Sequence, residues 1–303
     1  MSINKLFYSL IIGLLVNYSA ISFAQDTSNT TVGELEEIVV TAQRREQNIS
    51  DVSQAVQALS GDDLDELNIT NFEEMITLIP GAIQNSTISH GSNVYSIRGV
   101  AASETDGDAT VGYYLDNFAF SIPGRPYAPV TDLYDTERVE VLRGPSGTLY
   151  GLGSLGGTIK VITKDPVIGE FEGAFKATVS EIDDGDSSYT GDLVINAPIS
   201  DNAAIRAVLS IKDIGGWAEI IPSDQTDGNP YEALTGRLKL LVEPNEKTSV
   251  KFTYWRQDSE QEYANRLTYP SPPAIDNVFG ETFSDYTIYI LDVAYDLGFA
   301  MLE

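Results

Sequence analysis

The chain contains no cysteine and only one histidine, His90. Disulfides, thiolate metal centres and cysteine nucleophiles are therefore excluded, as are multi-histidine metal sites and any triad that turns on a histidine base. Basic residues are scarce too, with 18 Lys and Arg against 45 Asp and Glu, for a net charge of −27. Nucleic-acid binding needs a basic footprint, so that class of partner is excluded. Long apolar runs are also lacking. The run from Leu6 to Val16 is 11 residues, well short of the ~20 a spanning helix needs, and charged or polar residues interrupt every later one. Ser146 and Ser154 lack the spacing of a nucleophile elbow. Gly151-Leu-Gly-Ser-Leu-Gly156 matches G-x-G-x-x-G, but dinucleotide chemistry needs a helix next, and Thr158-Ile-Lys-Val-Ile-Thr163 is β-branched. Asp106-Gly-Asp108 and Asp183 to Asp186 lack the alternating ligands and distal glutamate of an EF-hand. No catalytic residue, metal or cofactor is expected.

What is present changes in texture along the chain. Lys5, the apolar run and Ser22-Phe23-Ala24 read as a cleaved secretory signal over residues 1–24. Residues 25–45 form a polar, flexible leader holding one β-prone run, Glu37-Ile38-Val39-Val40-Thr41-Ala42. Ser60 can cap a helix with Asp62 and Asp63 in its first turn. A second helix is expected after Asn71, with Phe72, Met75, Ile76 and Ile79 on one face and a stop at Pro80-Gly81. Residues 92–164 read as short strands between Gly, Pro and Asp loops. Residues 46–166 thus form an α+β domain large enough for its own core.

After Pro166 the period becomes two. Phe171, Phe175 and Val179 oppose Glu172, Lys176 and Ser180; Ile205, Leu209 and Ile211 oppose Arg206, Ser210 and Lys212; Leu238 and Leu240 oppose Arg237 and Lys239; Phe252 and Tyr254 oppose Lys251 and Thr253; Leu291 and Val293 oppose Asp292. With Tyr189 to Ala197, this makes six candidate strands. A soluble β-sandwich shares the alternation. Strand lengths near the 9–11 residues of a tilted membrane strand, with connections alternately short and long, favour an outer-membrane barrel. The cations fall on the faces a barrel turns inward.

The most specific stretch is Arg138-Val-Glu140-Val-Leu-Arg143-Gly144-Pro145, followed by Gly147, Tyr150, Gly151, Gly156 and Gly157. Two apolar strands flank a loop whose glycines allow tight folding. Together with Ser96-Ile-Arg98-Gly99, these residues resemble the plug domain of TonB-dependent outer-membrane receptors. The resemblance implies an α+β plug domain followed by antiparallel transmembrane β-barrel strands, in the outer membrane of a Gram-negative bacterium. It casts residues 37–42 as the TonB box, unpaired until the TonB periplasmic domain captures it as an added strand. Arg98 and Arg143 are then expected to pair with acids on the barrel wall, or else to satisfy the plug's own carbonyls or acids. Phe118, Phe120, Arg125 and Tyr127 are expected in apical loops facing a small nutrient ligand, with a ferric siderophore ahead of haem, cobalamin or carbohydrate. Outer-membrane lipid is the other implied partner, and no bond is made or broken.

Family barrels are about 22-stranded, so six strands in residues 167–303 leave the barrel incomplete. A fragment, or a prematurely ended product, is the expectation. A transport-inactive module that binds TonB or ligand in the periplasm is a second reading, and a secreted β-rich adhesin or glycan-acting protein is a third.

Overall fold

A computed structural model of the chain describes residues 39–41, 44, 45, 47–87, 93–102, 107–151, 153–183, 185–220, 225–262, 274, 275 and 281–302. Residues 1–24, expected to be an export signal, and Glu37, Ile38, Ala42 and His90 lie outside the described residues. Ile38–Glu303 packs as one compact unit.

The N-terminal lobe begins with two short strands, β1 (Val39–Val40) and β2 (Gln47–Asn48), which pair with each other. Strand β3 (Ala55–Ser60) leads into helix α1 (Gly61–Glu66), where Ser60 and Asp63 form a reciprocal capping box. Helix α2 (Phe72–Met75), capped by the Asn71 side chain, continues as a 3₁₀ turn over Ile76–Leu78. The chain then forms β4 (Ala82–Thr87), β5 (Asn93–Ile97), β6 (Val111–Leu115), β7 (Phe118–Phe120) and β8 (Thr136–Arg143). A short helix, α3 (Gly147–Tyr150), sits inside the glycine loop before β9 (Gly157–Thr163). The central sheet runs β3-β8-β9-β6-β7, with β9 and β6 parallel and the other pairs antiparallel. Strands β5 and β6 are buried throughout, so their sequences lack the two-fold alternation of a half-exposed strand.

The six long strands expected after Pro166 are present, each beside its predecessor and antiparallel to it. They are β10 (Glu172–Glu181), β11 (Ser187–Ser200), β12 (Ala203–Ile214), β15 (Tyr231–Asn245), β16 (Thr248–Gln261) and β18 (Thr282–Asp296). A two-residue strand, β19 (Met301–Leu302), extends the same sheet. Strands β13 (Ala218–Ile220), β14 (Gln225–Gly228) and β17 (Ala274–Ile275) form a separate small sheet in the long connections. Connections 201–202 and 246–247 leave one end of the wall, whereas 215–230 and 262–281 leave the other.

Every wall strand has an apolar outward face. Tyr289 and Leu291 are about two-thirds exposed there, beside Phe252, Leu238, Leu209 and Phe175. A continuous apolar outer face suits hydrocarbon. The inward face carries Trp255 and Ile288 into the core of the N-terminal lobe, against Leu133 and Tyr113 among others. Lobe and wall therefore share apolar burial, at roughly 1.5–3 kcal/mol for each fully covered large side chain.

Candidate functional site

The glycine loop closes through a hydrogen bond from the Gly144 N–H to the Gly156 carbonyl at 2.8 Å, and Gly144 holds a φ of 113° that favours glycine. Arg143 donates from Nη1 to the Pro80 carbonyl at 3.5 Å. The Arg98 backbone donates to Gly81 at 2.7 Å, and its guanidinium lies against Gly144. Both arginines therefore lie on the lobe's own backbone. The Arg143 side chain thus satisfies a lobe carbonyl, and among the described residues no acid of the six wall strands meets either arginine.

The leader strand is not unpaired. Val39 faces Asn48 and Val40 faces Gln47 across the β1–β2 ladder, and Val40 is 0% exposed among Tyr114, Leu142 and Tyr150. The next residue, Thr41, is held on all its polar groups. Its N–H donates to Glu140 Oε1 at 2.7 Å, its hydroxyl donates to the same oxygen at 3.2 Å and accepts from Lys160 Nζ at 3.1 Å, and its carbonyl accepts from the Tyr150 hydroxyl at 3.4 Å. Glu140 is fully buried and also accepts from Arg138 Nε at 2.9 Å. A buried carboxylate needs donors, and the leader supplies two of them. That requirement overturns the free-strand expectation. Burial lowers the Lys160 amine despite Glu140 beside it, and burial together with Glu140 pushes the Tyr150 hydroxyl up to about 12, so it keeps its proton as a donor. Arg44 stacks 5.3 Å from the Tyr150 ring and donates to the Leu149 carbonyl at 2.8 Å.

Against the wall, the polarity is the reverse of the expected one: the wall supplies the cations and the lobe the acids. Asp135 accepts from Arg206 Nε at 2.8 Å and from Arg237 Nη2 at 3.2 Å. Asp132 pairs with Lys212 at 2.6 Å and accepts from Ser210 at 3.0 Å. Asp116, which also accepts from the Thr163 N–H at 2.8 Å, meets Lys239 at 3.2 Å. Asp165, in the linker to the wall, bridges Lys239 at 2.8 Å and Lys251 at 2.6 Å. Lys176 reaches Asn68 at 2.8 Å. Each inward cation marked by the alternation thus ends on the lobe. The acids themselves were not singled out from sequence. The available signal was that inward cations in so acidic a chain need carboxylate partners, which can come from what fills the interior as well as from another wall strand, as Glu172 does for Arg206.

The linker clamp has a pH consequence. Burial alone would raise the Asp165 carboxyl, but Lys239 and Lys251 outweigh it and hold the group below its ordinary range. A carboxyl depressed in the folded state stabilises above its unfolded value of about 3.9, and that contribution is lost as pH falls through the folded value. In detergent micelles the chain should lose stability on acidification from about pH 4 downward, and Asp165→Asn should flatten that loss. An unchanged pH profile of the urea midpoint in the variant would rule out the clamp.

The apical assignment holds differently for its members. Phe120 packs edge-on against Tyr286 at 5.3 Å, near the end of the wall that carries the long connections. Arg125 is exposed and Tyr127 half-buried beyond it, where the Gly107 N–H donates to Gly124 at 3.2 Å. Phe118 is not apical. The β6–β7 turn points toward the short-connection end, where Asn117 donates to Asp292 at 2.9 Å.

Residues 48–158 match the family described as TonB-dependent Receptor Plug Domain. Over those residues the chain is similar to that plug domain. Among full-length relatives, the pesticin receptor of Yersinia pestis is 28% identical over 252 residues, covering 82% of this chain but 35% of the relative. The ferripyoverdine receptor of Pseudomonas aeruginosa is 26% identical over 200 residues, covering 63% of this chain and 22% of its own length. In three dimensions, the ferric yersiniabactin uptake receptor of Yersinia pestis aligns with a TM-score of 0.70 at 20% identity, over 82% of this chain and 39% of that one. At that identity the likeness establishes the fold: a plug seated against antiparallel barrel strands. The chain spans little more than a third of the pesticin receptor's length.

Proposed function

We propose that this chain belongs to an outer-membrane receptor that imports a ferric siderophore, driven through TonB. The observation that carries the reading is the plug itself, seated by wall cations on the inward face of strands whose outward face is apolar. Such a seat blocks passage until something outside and something inside act on the plug together. The relatives named for ferripyoverdine and, by structure, ferric yersiniabactin support a ferric chelate as the cargo. Phe120, Arg125 and Tyr127 are proposed to face it, since an anionic chelate suits aromatic edges beside a guanidinium. Residues 37–42 are proposed as the TonB box, residues 1–24 as the cleaved export signal, and outer-membrane lipid as the surrounding of the wall. The chain acts by binding and conformational change rather than by catalysis.

Cells carrying the gene as their only siderophore receptor should take up radioactive iron presented as a ferric siderophore and fail to do so without TonB. Ile38→Pro removes a main-chain donor from the proposed box and should weaken capture of the chain by the TonB periplasmic domain about ten-fold or more. Undiminished capture would dismiss residues 37–42 as the box. TonB-independent uptake would dismiss the import mechanism.

A further inference from the structure

We propose that residues 165–172 form a strap that belongs to the wall and stays on it when the plug is displaced, with Asn196 as its positioning residue. This rests on the reading of the chain as part of a TonB-driven importer. Asn196, on β11, is 0% exposed and uses its whole amide on the linker between lobe and wall. Its Oδ1 accepts from the Val167 N–H at 2.9 Å, and its Nδ2 donates to the Val167 carbonyl at 2.9 Å and to the Glu170 carbonyl at 2.7 Å. Only one orientation of the amide satisfies all three, so the side chain grips Val167 as a partner strand would. Its neighbours across the ladder continue the grip. Asn196 faces Arg206, and Arg206 faces Lys239. Arg206 holds Glu172 at 2.9 Å, while Lys239 holds Asp165 at 2.8 Å and Lys251 takes the other oxygen of that carboxylate at 2.6 Å. One inward row, Asn196, Arg206 and Lys239, thus holds the linker at both ends and in the middle. None of these bonds joins the linker to the lobe.

The consequence is mechanical. Residues 164–171 join β9 to β10. Fully extended, that stretch reaches about 26 Å, comparable with the ~25 Å apolar band of a barrel wall. A free linker of such reach lets the lobe travel as one body toward whatever pulls its N-terminal end. A strapped linker instead fixes the lobe at Thr163, whose carbonyl also accepts from Lys239 at 2.9 Å. The pull must then deform the lobe against a stationary end. Strap and seat are separable, because Asp132 and Asp135 seat the lobe through Lys212, Arg206 and Arg237, whereas Val167 and Glu170 are held by Asn196. Asn196 acts through the linker it holds.

Hydrogen exchange of the full chain in detergent micelles separates strap from plug. Asn196→Ala should speed exchange of the Val167 amide about ten-fold or more and leave the β8 and β9 amides unchanged. Asp135→Ala, which loosens the seat, should do the reverse. Asp165→Asn releases the other end of the strap and replaces Asn196→Ala in both assays if that variant fails to fold. Loss of Val167 protection together with that of β8 and β9 in Asp135→Ala would overturn the proposal, and so would a Val167 amide that exchanges at the native rate in the strap variants. The second assay uses cells carrying the gene as their only siderophore receptor, given radioactive iron as ferric yersiniabactin or as ferripyoverdine. Either strap variant should bind the chelate as the native chain does and import it several-fold more slowly, because slack takes up the pull. Native uptake by a variant whose strap exchanges freely would also overturn the proposal. TonB-independent uptake by the native chain, or none, would dismiss the import reading instead, and the exchange result would then decide by itself whether the strap belongs to the wall.

Discussion

Asp135→Ala should lower the stability of the plug–wall unit by about 3 kcal/mol, at the lower end of the 3–5 kcal/mol that follows from breaking a buried ion pair. The two guanidinium groups it serves, Arg206 and Arg237, are 3% and 2% exposed, so water cannot take over the lost carboxylate. The estimate stays low because neither is wholly stranded. Glu172 holds Arg206 Nη1 at 2.9 Å, and the Tyr134 and Asp135 carbonyls remain for Arg237 Nη2 at 3.2 and 2.9 Å. Alanine is further disfavoured by the φ of 58° at this position. Asp135→Asn tolerates that backbone and keeps one acceptor, so it should be the milder change. The readout is urea unfolding in micelles followed by Trp255, which packs beneath Arg237 at 5.1 Å, with the only other tryptophan replaced by Trp217→Phe. Replacing all three charged groups by apolar ones should recover much of the loss, since a buried ionic cluster owes little net stability to its charges. A loss under about 1 kcal/mol for Asp135→Ala would mean that packing, and not this carboxylate, seats the plug.

What could be read from sequence, and what could not, follows from the range of the forces involved. The wall strands were legible because an apolar outer face on one side and a plug-facing inner face on the other impose a period of two, residue by residue. Leu238 against Lys239 and Phe252 against Thr253 carry that signal locally. The inward direction of Arg206, Lys212, Arg237 and Lys239 came with it. Their partners did not, because which plug acid meets which cation is decided by how the lobe sits in the wall. The leader was misread for the same reason. Two-residue strands carry no periodicity, and what pins Thr41 is Glu140, far along the chain. Phe118 was misplaced because the chain reverses at Asp116, at a φ of 49°, on the short-connection side, where Asn117 meets Asp292, and that position depends on how the lobe sits in the wall. Arg98 and Arg143 were half legible: their place in the motif was evident, but the Pro80–Gly81 turn as their seat was not.

Gly157→Ala should destabilise the plug by about 3 kcal/mol, the upper range for overpacking, whereas Gly147→Ala in the same loop should be neutral or stabilising by up to about 1 kcal/mol. The sequence treats these glycines alike; the structure does not. Gly157 has no positive φ that demands glycine, and its constraint is space. An added Cβ would lie 2.4 Å from the Leu142 carbonyl oxygen and 2.8 Å from Ile97 Cδ1. Leu142 and Ile97 are both 0% exposed, and the carbonyl belongs to β8, whose ladder with β9 runs through Arg143 and Gly157. The carbonyl cannot withdraw without opening the sheet, and the Ile97 methyl can shift only into a fully packed core. Gly147 begins helix α3 with nothing within 4 Å of an added Cβ, so alanine there restricts the unfolded chain at no steric cost. The strain from Gly157→Ala would fall on β8, two residues from Leu142 to Glu140, where the carboxylate meets Thr41. The variant should therefore also speed alkylation of a Val40→Cys thiol, which Gly147→Ala should leave unchanged. Equal urea midpoints for the two alanine variants would show that the loop tolerates a methyl group at either glycine, and that close approach of β8 and β9 is not what the second glycine of the Gly156-Gly157 pair provides.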